Sequence, residues 1–344
     1  MKVVRYLGPE KLEIQKIEKP MIGESEVLLK VKACGICGSD VHGFLGLTGR
    51  RHEPMTMGHE FAGEIEEIGT KIARFNKGDG VIVQPINFCG KCDNCKQGLT
   101  NMCQNKKFFG VLNVDGAMAE YLAVPEKLLY PLPKNLSYTV GAMTEPYAVA
   151  YGSIKKAGDL KGKTVLIIGS GMIGLCVLQL VKLLEPRKVI VADISESRLR
   201  MALDVGADSI IQSSAEDLEE RIRVLTDKKM IDISFEAVGL QRTANQSIKC
   251  LNNGGKAIWV GMSQREMEIN MQDIVCFARQ VIGSFNYTHE EFGEVVELIG
   301  SGAVAAEKLI SKIITLEDAP QAFIDLYHKP DELIKVIIEP ERQV

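Results

Sequence analysis

Thr164-Val165-Leu166-Ile167-Ile168-Gly169-Ser170-Gly171-Met172-Ile173-Gly174 is the stretch on which the fold turns. An apolar run of strand length leads straight into G-x-G-x-x-G, and an apolar run of helical length follows to about Leu184. Alone the glycine pattern is weak. Between a strand and a helix it has a physical meaning. Gly169 permits the tight turn, Gly171 lets backbone approach a pyrophosphate, and Gly174 lets the helix pack close to the strand. Met172 and Ile173 open the helix, whose free N–H groups and partial positive charge suit phosphate. A second apolar strand, Val189–Ala192, ends in Asp193, 19 residues past Gly174. A carboxylate there accepts hydrogen bonds from ribose hydroxyls and repels a 2′-phosphate, so the pattern favours NAD over NADP. Arg198 lies five residues on, placed to flank the adenine. The competing reading makes Asp193 a plain helix cap.

Working outward, strands expected at Thr164–Ile168, Lys188–Asp193, Ser209–Gln212, Asp232–Glu236, Lys256–Val260 and Gln280–Phe285 alternate with helical segments such as Met172–Leu184 and Ser195–Leu203. Strand–helix alternation implies a parallel, doubly wound sheet. Val260, closing its strand, joins the cofactor set. Upstream the pattern changes to short strands broken by Gly and Pro: Glu26–Lys32, Phe61–Ile68, Gly80–Pro85 and Met118–Val124. Downstream, a helix near His289–Ile299 and short strands return to that style. The expected organisation is a mostly-β domain over residues 1–149, a dinucleotide-binding domain over 150–286, and a return to the first domain over 287–344.

The bulk properties agree with such a chain. Its 344 residues exceed what one compact core usually holds. With 25% charged residues and a net charge of −4, it lacks the basic footprint of a nucleic-acid binder. No apolar run is long enough for a signal peptide or a membrane span. Nine cysteines in such a chain point to a reducing, cytoplasmic setting and to metal or chemistry rather than a disulfide framework.

Four of them, Cys89, Cys92, Cys95 and Cys103, read C-x2-C-x2-C-x7-C. Four thiolates close a tetrahedral zinc site with no open position, which makes such an ion structural. An iron–sulfur cluster is the rival. A second constellation lies in Cys34-Gly35-Ile36-Cys37-Gly38-Ser39-Asp40-Val41-His42, in Gly58-His59-Glu60-Phe61 and in Glu145-Pro146. One thiolate, one imidazole and one or two carboxylates suit zinc with an exchangeable position, as a Lewis-acid catalyst needs. Taken singly, Cys34 and Cys37 also fit a redox pair, His59 a buried core histidine, and Glu60 a surface charge.

In their order along the chain, Cys37, His59-Glu60, the four-cysteine segment, Glu145-Pro146 and the glycine-rich turn resemble the zinc-dependent medium-chain dehydrogenase/reductase family. The resemblance covers essentially the whole chain and lies nearest its sorbitol dehydrogenase-like, polyol-oxidising branch. It implies a GroES-like catalytic domain joined to a Rossmann domain, with two zinc ions per chain and NAD as cofactor. On its terms Cys37, His59, Glu60 and Glu145 supply the catalytic zinc ligands, whereas Cys89, Cys92, Cys95 and Cys103 hold the structural zinc. Whether Glu60 or Glu145 is the resting ligand stays open. Ser39 and His42 match the proton-relay positions, Asp40 an acid that orients the ligand histidine, and Cys34 no ligand position. The resemblance further implies a homodimer or homotetramer joined near Lys256–Asn286.

One departure bears on substrate. Where sorbitol-type enzymes carry Arg before Tyr, this chain reads Phe285-Asn286-Tyr287, three residues taken as substrate contacts. The adjacent Arg50 and Arg51 are a candidate clamp for a substrate phosphate or carboxylate, against the plainer reading of solvated loop charges. The implied reaction moves hydride between a secondary alcohol of a polyol, phosphorylated or not, and NAD. Threonine- and butanediol-type dehydrogenases are the enzymatic alternatives, and a catalytically silent family member is the other.

Overall fold

The computed structural model describes residues 1–112, 114–329 and 331–342, so the predicted segment 287–344 runs beyond the described residues at 330 and at its last two positions. The chain divides into two compact units, Met1–Glu145 with Thr288–Val344, and Pro146–Tyr287. The first break falls inside the helix Thr144–Ala157, four residues before the 149/150 position read from sequence.

In the unit Pro146–Tyr287, Thr164–Ile168 is buried at every residue. It has strands on both edges, so its backbone ladder is satisfied within the sheet, and its burial leaves neither face to solvent. Six parallel strands run in the order third, second, first, fourth, fifth, sixth. This is the doubly wound order, and it puts the glycine turn at the point where strand order reverses. Leu166, Ile168, Ile190, Ala192, Ile211 and Ile248 belong to the core of this unit. The fifth strand starts earlier than the sequence suggests, at Leu251 rather than Lys256. Asn252-Asn253-Gly254-Gly255 reads as a turn, yet the ladder takes it up through a register shift against the fourth strand. Gly254, at φ +75°, supplies the left-handed backbone such a bulge needs.

The other unit is built on an antiparallel sheet centred on Glu26–Ile36, which pairs with Glu60–Ile68, Tyr121–Pro125 and the C-terminal strand Lys335–Ile338. Its alternating buried residues Val27, Leu29 and Val31 meet Phe61, Ile65, Val81 and Val83 in one core. The strand extends four residues past the expected Lys32, through Cys34, Gly35 and Ile36, because its last residues find partners on both Glu60–Ile68 and Lys335–Ile338. That extension delivers Cys37 at the sheet's end, where the helix Gly38–Phe44 begins. A hairpin, Lys2–Gly8 with Lys11–Lys16, escaped the sequence reading.

Candidate active site

Cys37 is the N-cap of the helix Gly38–Phe44: its Sγ accepts from the Ser39 amide, and Asp40 accepts from the Cys37 amide at 3.2 Å. The cap therefore fixes the thiol, the Ser39 hydroxyl and the Asp40 carboxylate within one helical turn. His59 and Glu60 arrive from the neighbouring strand, which pairs Glu60 with Gly35. Ligand atoms of Cys37, His59 and Glu60 all lie within 4.8 Å of one another. Both His59 and Glu60 are buried. Glu145 is outside that group of three. It too is buried, in the first turn of its helix, and its charge reaches the same pocket of groups through Lys335.

Lys335 was not anticipated. It is only 2% exposed, its Nζ lies 2.8 and 2.6 Å from the two Glu60 oxygens, and it donates to the Ile36 carbonyl at 3.0 Å. Burial works against its charge, but Glu60, Cys37 and Glu145 outweigh that and raise its pKa. Its signal in the sequence was a lysine set in Ile334-Lys335-Val336-Ile337-Ile338, a run otherwise fit for a fully buried strand. Gly35 makes the pairing possible: a Cβ there would fall 2.1 Å from Glu60 Oε2.

Behind His59, Asp40 Oδ1 sits 3.4 Å from Nδ1 and leaves Nε2 for a metal. Burial opposes ionisation of Asp40, yet His59 and Arg51 hold its carboxyl far below the ordinary range. Burial likewise opposes charge on His59, and Asp40 with Cys37 raises its pKa well above that of a free imidazole. With Cys37 as thiolate, the anions Cys37, Asp40, Glu60 and Glu145 face two buried cations, Arg51 and Lys335. With a divalent ion in place of the His59 proton, two negative charges remain for it to neutralise, and the donor set of sulfur, imidazole nitrogen and carboxylate suits zinc. Cys34 is fully buried in the core, and burial drives its thiol pKa up, so it is no ligand.

Ser39 is half-buried, and His42 is exposed at the last turn of the same helix. The Arg50–Arg51 clamp requires correction. Arg50 is exposed, but Arg51 turns inward, with its side chain 3% exposed and paired to Asp40 at 2.7 Å. Opposing Asp40 satisfies that guanidinium in the interior, so the two arginines do not act together at the surface.

Cys89, Cys92, Cys95 and Cys103 come together in a separate loop, all within 4.8 Å. The sulfur separations are 3.5 Å for Cys92–Cys95 and 4.0 Å for Cys89–Cys95 and Cys92–Cys103. Tetrahedral zinc with Zn–S of about 2.3 Å needs sulfurs about 3.8 Å apart. A polynuclear iron–sulfur cluster would hold them wider, and a disulfide far closer. Amide donors of Lys91 and Cys92 pull Cys89 down to about 6, towards the thiolate.

In the other unit, the glycine turn passes the same kind of test. A Cβ on Gly174 would lie 1.8 Å from the Gly169 carbonyl, so only glycine allows that close packing. A Cβ on Gly171 would meet nothing nearer than Arg198 Nη1 at 3.7 Å, which leaves open space where a pyrophosphate approaches and places Arg198 beside it. Met172 and Ile173, half-buried, open the helix Met172–Lys182. Asp193 accepts from the Ser170 amide and hydroxyl at 2.6 and 2.9 Å, and from the Ser195 amide at 2.9 Å. The next helix is capped by Ser195, not by Asp193, so the plain helix-cap reading fails. Val260 follows the fifth strand and bonds to the Glu236 carbonyl. Tyr287 is fully buried and Phe285 half-buried. Asn286 takes a left-handed backbone, φ +51°, and its buried amide nitrogen has no partner among the described residues.

Comparisons with known proteins agree with this arrangement. Residues 23–134 match the alcohol dehydrogenase GroES-like domain, and residues 173–301 match the zinc-binding dehydrogenase domain. The chain is 31% identical to sorbitol dehydrogenase of Bacillus subtilis over 99% of its length and 98% of that protein's. It is 33% identical to L-idonate 5-dehydrogenase of Vitis vinifera, covering 92% of this chain and 89% of the other. The crystal structure of galactitol-1-phosphate dehydrogenase from Escherichia coli superposes with a TM-score of 0.92, at 28% identity, over 99% of this chain and all of that one (100%).

Proposed function

Because the chain belongs to the zinc-dependent alcohol dehydrogenase family, with a GroES-like domain and a Rossmann domain, we propose that it oxidises a secondary hydroxyl of a polyol with NAD as acceptor. The observation that carries this reading is the Cys37–His59–Glu60 group, buried, rich in negative charge and backed by Asp40. Bound there, zinc would supply Lewis acidity that lowers the pKa of a hydroxyl, and a bound nicotinamide would supply the hydride acceptor. The chain's own residues do the rest. Cys37, His59 and a carboxylate would hold the ion; Glu60 belongs to that close group and Glu145 lies outside it. Asp40 fixes the His59 ring. Ser39 takes the hydroxyl proton, and His42, on the exposed end of that helix, passes it to water. The substrate thus loses a proton from oxygen and a hydride from carbon and leaves as a ketone. A positioned acceptor of this kind contributes typically about 10²–10⁴-fold.

Glu145, an acid where the ethanol-oxidising branch commonly carries Cys, favours the polyol branch, and the relatives named above are a sorbitol and an L-idonate dehydrogenase. Asn286, with a buried donor in need of an acceptor, suits a substrate or cofactor oxygen better than an apolar alcohol. Asp193, held at the end of the second strand, favours NAD. A homo-oligomer fits the free edge strand Gln280–Gly283 and the exposed Met271, Val275 and Phe277 near it. Four of the nine cysteines gathered as one metal-binding cluster fit a reducing cytoplasm. Among the described residues, no helix is long and apolar enough to cross a membrane.

The test is a panel of sugar alcohols, sugar acids, vicinal diols, threonine and phosphorylated polyols, each with NAD and NADP, read by absorbance of the reduced cofactor. The reading expects turnover with polyols and NAD; turnover confined to threonine or butanediol would replace it, and none with any alcohol would leave a silent family member. Asp193→Gly should shift the NAD-to-NADP preference by about 10-fold or more, the scale of one lost charge-assisted hydrogen bond and one relieved repulsion.

A further inference from the structure

Arg51 does something other than meet substrate. Its Nη2 donates to Asp40 Oδ1 at 2.7 Å and reaches Ser39 Oγ at 3.4 Å. That same Asp40 oxygen faces His59 Nδ1 at 3.4 Å. One guanidinium therefore touches both the carboxylate behind the ligand histidine and the hydroxyl set to take the proton. The neighbouring helix is shaped to admit it. Gly43 lies under the Arg51 stem, and a Cβ there would sit 2.5 Å from Arg51 Cγ and 3.4 Å from Nε. The clash would be with the root of the side chain, not its flexible end, so even alanine at 43 would push Arg51 out of its seat.

We infer that Arg51, seated over Gly43, is a positioning residue that sets how firmly Asp40 orients His59 and where the Ser39 hydroxyl points. The inference deepens the dehydrogenase reading and rests on it. A buried carboxylate that only faces a ring 3.4 Å away can swing from it, whereas a guanidinium bonded to the same oxygen pins that oxygen where it meets Nδ1, so the ring is held in the orientation that presents Nε2 to a metal. The contact to Ser39 occupies a lone pair of the hydroxyl and so limits its rotation. A lysine, a point charge on a mobile stem, cannot reproduce both contacts.

The experiment follows zinc release from the holoenzyme into a chromophoric chelator, with cobalt(II) spectra of the exchanged protein, for wild type, Arg51→Gln, Arg51→Lys, Gly43→Ala and the Gly43→Ala/Arg51→Gln double variant. Wild type should release two zinc ions in two phases. The phase from the four-cysteine loop should keep its rate in every variant, which also reports that the fold survives. The other phase should quicken by about 10- to 100-fold in Arg51→Gln, the usual cost of losing a group behind a metal ligand. Arg51→Lys should fall between, and Gly43→Ala should quicken it too. The double variant should match Arg51→Gln, because Gly43 acts through Arg51. The cobalt bands should shift in Arg51→Gln.

An unchanged second phase and unchanged cobalt spectrum in Arg51→Gln would overturn the inference. If KM then rose only for phosphorylated polyols, Arg51 would be a substrate residue after all. Additive losses in the double variant would overturn the role of Gly43. A wild type that binds one zinc, in the four-cysteine loop alone, would remove the dehydrogenase reading itself, a failure distinct from the others.

Discussion

The two clusters of metal-binding side chains in the unit Met1–Glu145 with Thr288–Val344 are built on opposite plans. The four-cysteine loop carries its four like donors on a short, mostly exposed excursion held by local backbone bonds. The Cys37–His59–Glu60 group draws unlike donors from a helix cap and a central strand, is backed by Asp40, Arg51 and Lys335, and has only three close ligands. A closed shell of thiolates needs no support beyond its own geometry. An open site that must change the acidity of a bound hydroxyl has to fix its charge from outside, and buried ions are how this chain does it.

Removing the thiolate from the open site should have the largest effect. Cys37→Ser should lower kcat/KM by at least about 10³-fold, since Lewis-acid assistance supplies several kcal/mol. It should leave one zinc per chain and a nearly unchanged melting curve; an active Cys37→Ser protein would erase the contrast between the two clusters. Cys95→Ser should act the other way round. It should cost the loop its zinc and lower Tm by roughly 5–15 °C, the scale of a few kcal/mol in a chain this size, while kcat well below Tm stays within about threefold. A collapse of kcat at low temperature with Tm intact would mean the loop takes part in the chemistry.

Lys335→Met strips the counter-charge from Glu60. Breaking a buried pair by one partner typically costs about 3–5 kcal/mol. Denaturant unfolding of the zinc-depleted protein should show a loss of that order, recovered in large part by adding Glu60→Gln. If the double variant were no more stable than the single one, Lys335 would stabilise through packing and not through Glu60.

The smallest effect belongs to the surroundings of the loop. His289 donates its amide to Thr100 and contacts Gln84, Tyr130 and Phe88. Burial, with Arg74 and Lys127 nearby, lowers its pKa below 6.5. The unfolded chain therefore takes the proton first. The stability tied to neutral His289 is complete above about pH 6.5 and is lost as pH falls below it. His289→Gln should flatten the fall in Tm between pH 7 and 5 by a degree or two; an unaltered slope would show that this ring does not titrate on unfolding.

Much of this was legible in the sequence because the decisive features are local. The strand, glycine turn and Asp193 lie within 30 residues, and C-x2-C-x2-C-x7-C is a single loop. Cys37, His59 and Glu60 could be named because each sits in a short, chemically pointed segment. What stayed hidden depends on distant pairings. Lys335 meets Glu60 across 275 positions, through strand pairs that no periodicity reports. Arg51 read as a surface charge because nothing in Thr48-Gly49-Arg50-Arg51-His52 says which arginine turns inward. Its clue was Gly43, an interior helix residue without a side chain. The strand Leu251–Trp259 was cut short because Asn-Asn-Gly-Gly carries turn chemistry that the sheet overrides.

The most direct check is anomalous diffraction at the zinc edge from crystals of the metal-replete protein. Two peaks should appear per chain, one enclosed by Cys89, Cys92, Cys95 and Cys103, the other bonded to Cys37 Sγ and His59 with a carboxylate or water completing its shell. A single peak in the cysteine loop, with Cys37 and His59 bound to nothing, would contradict the account.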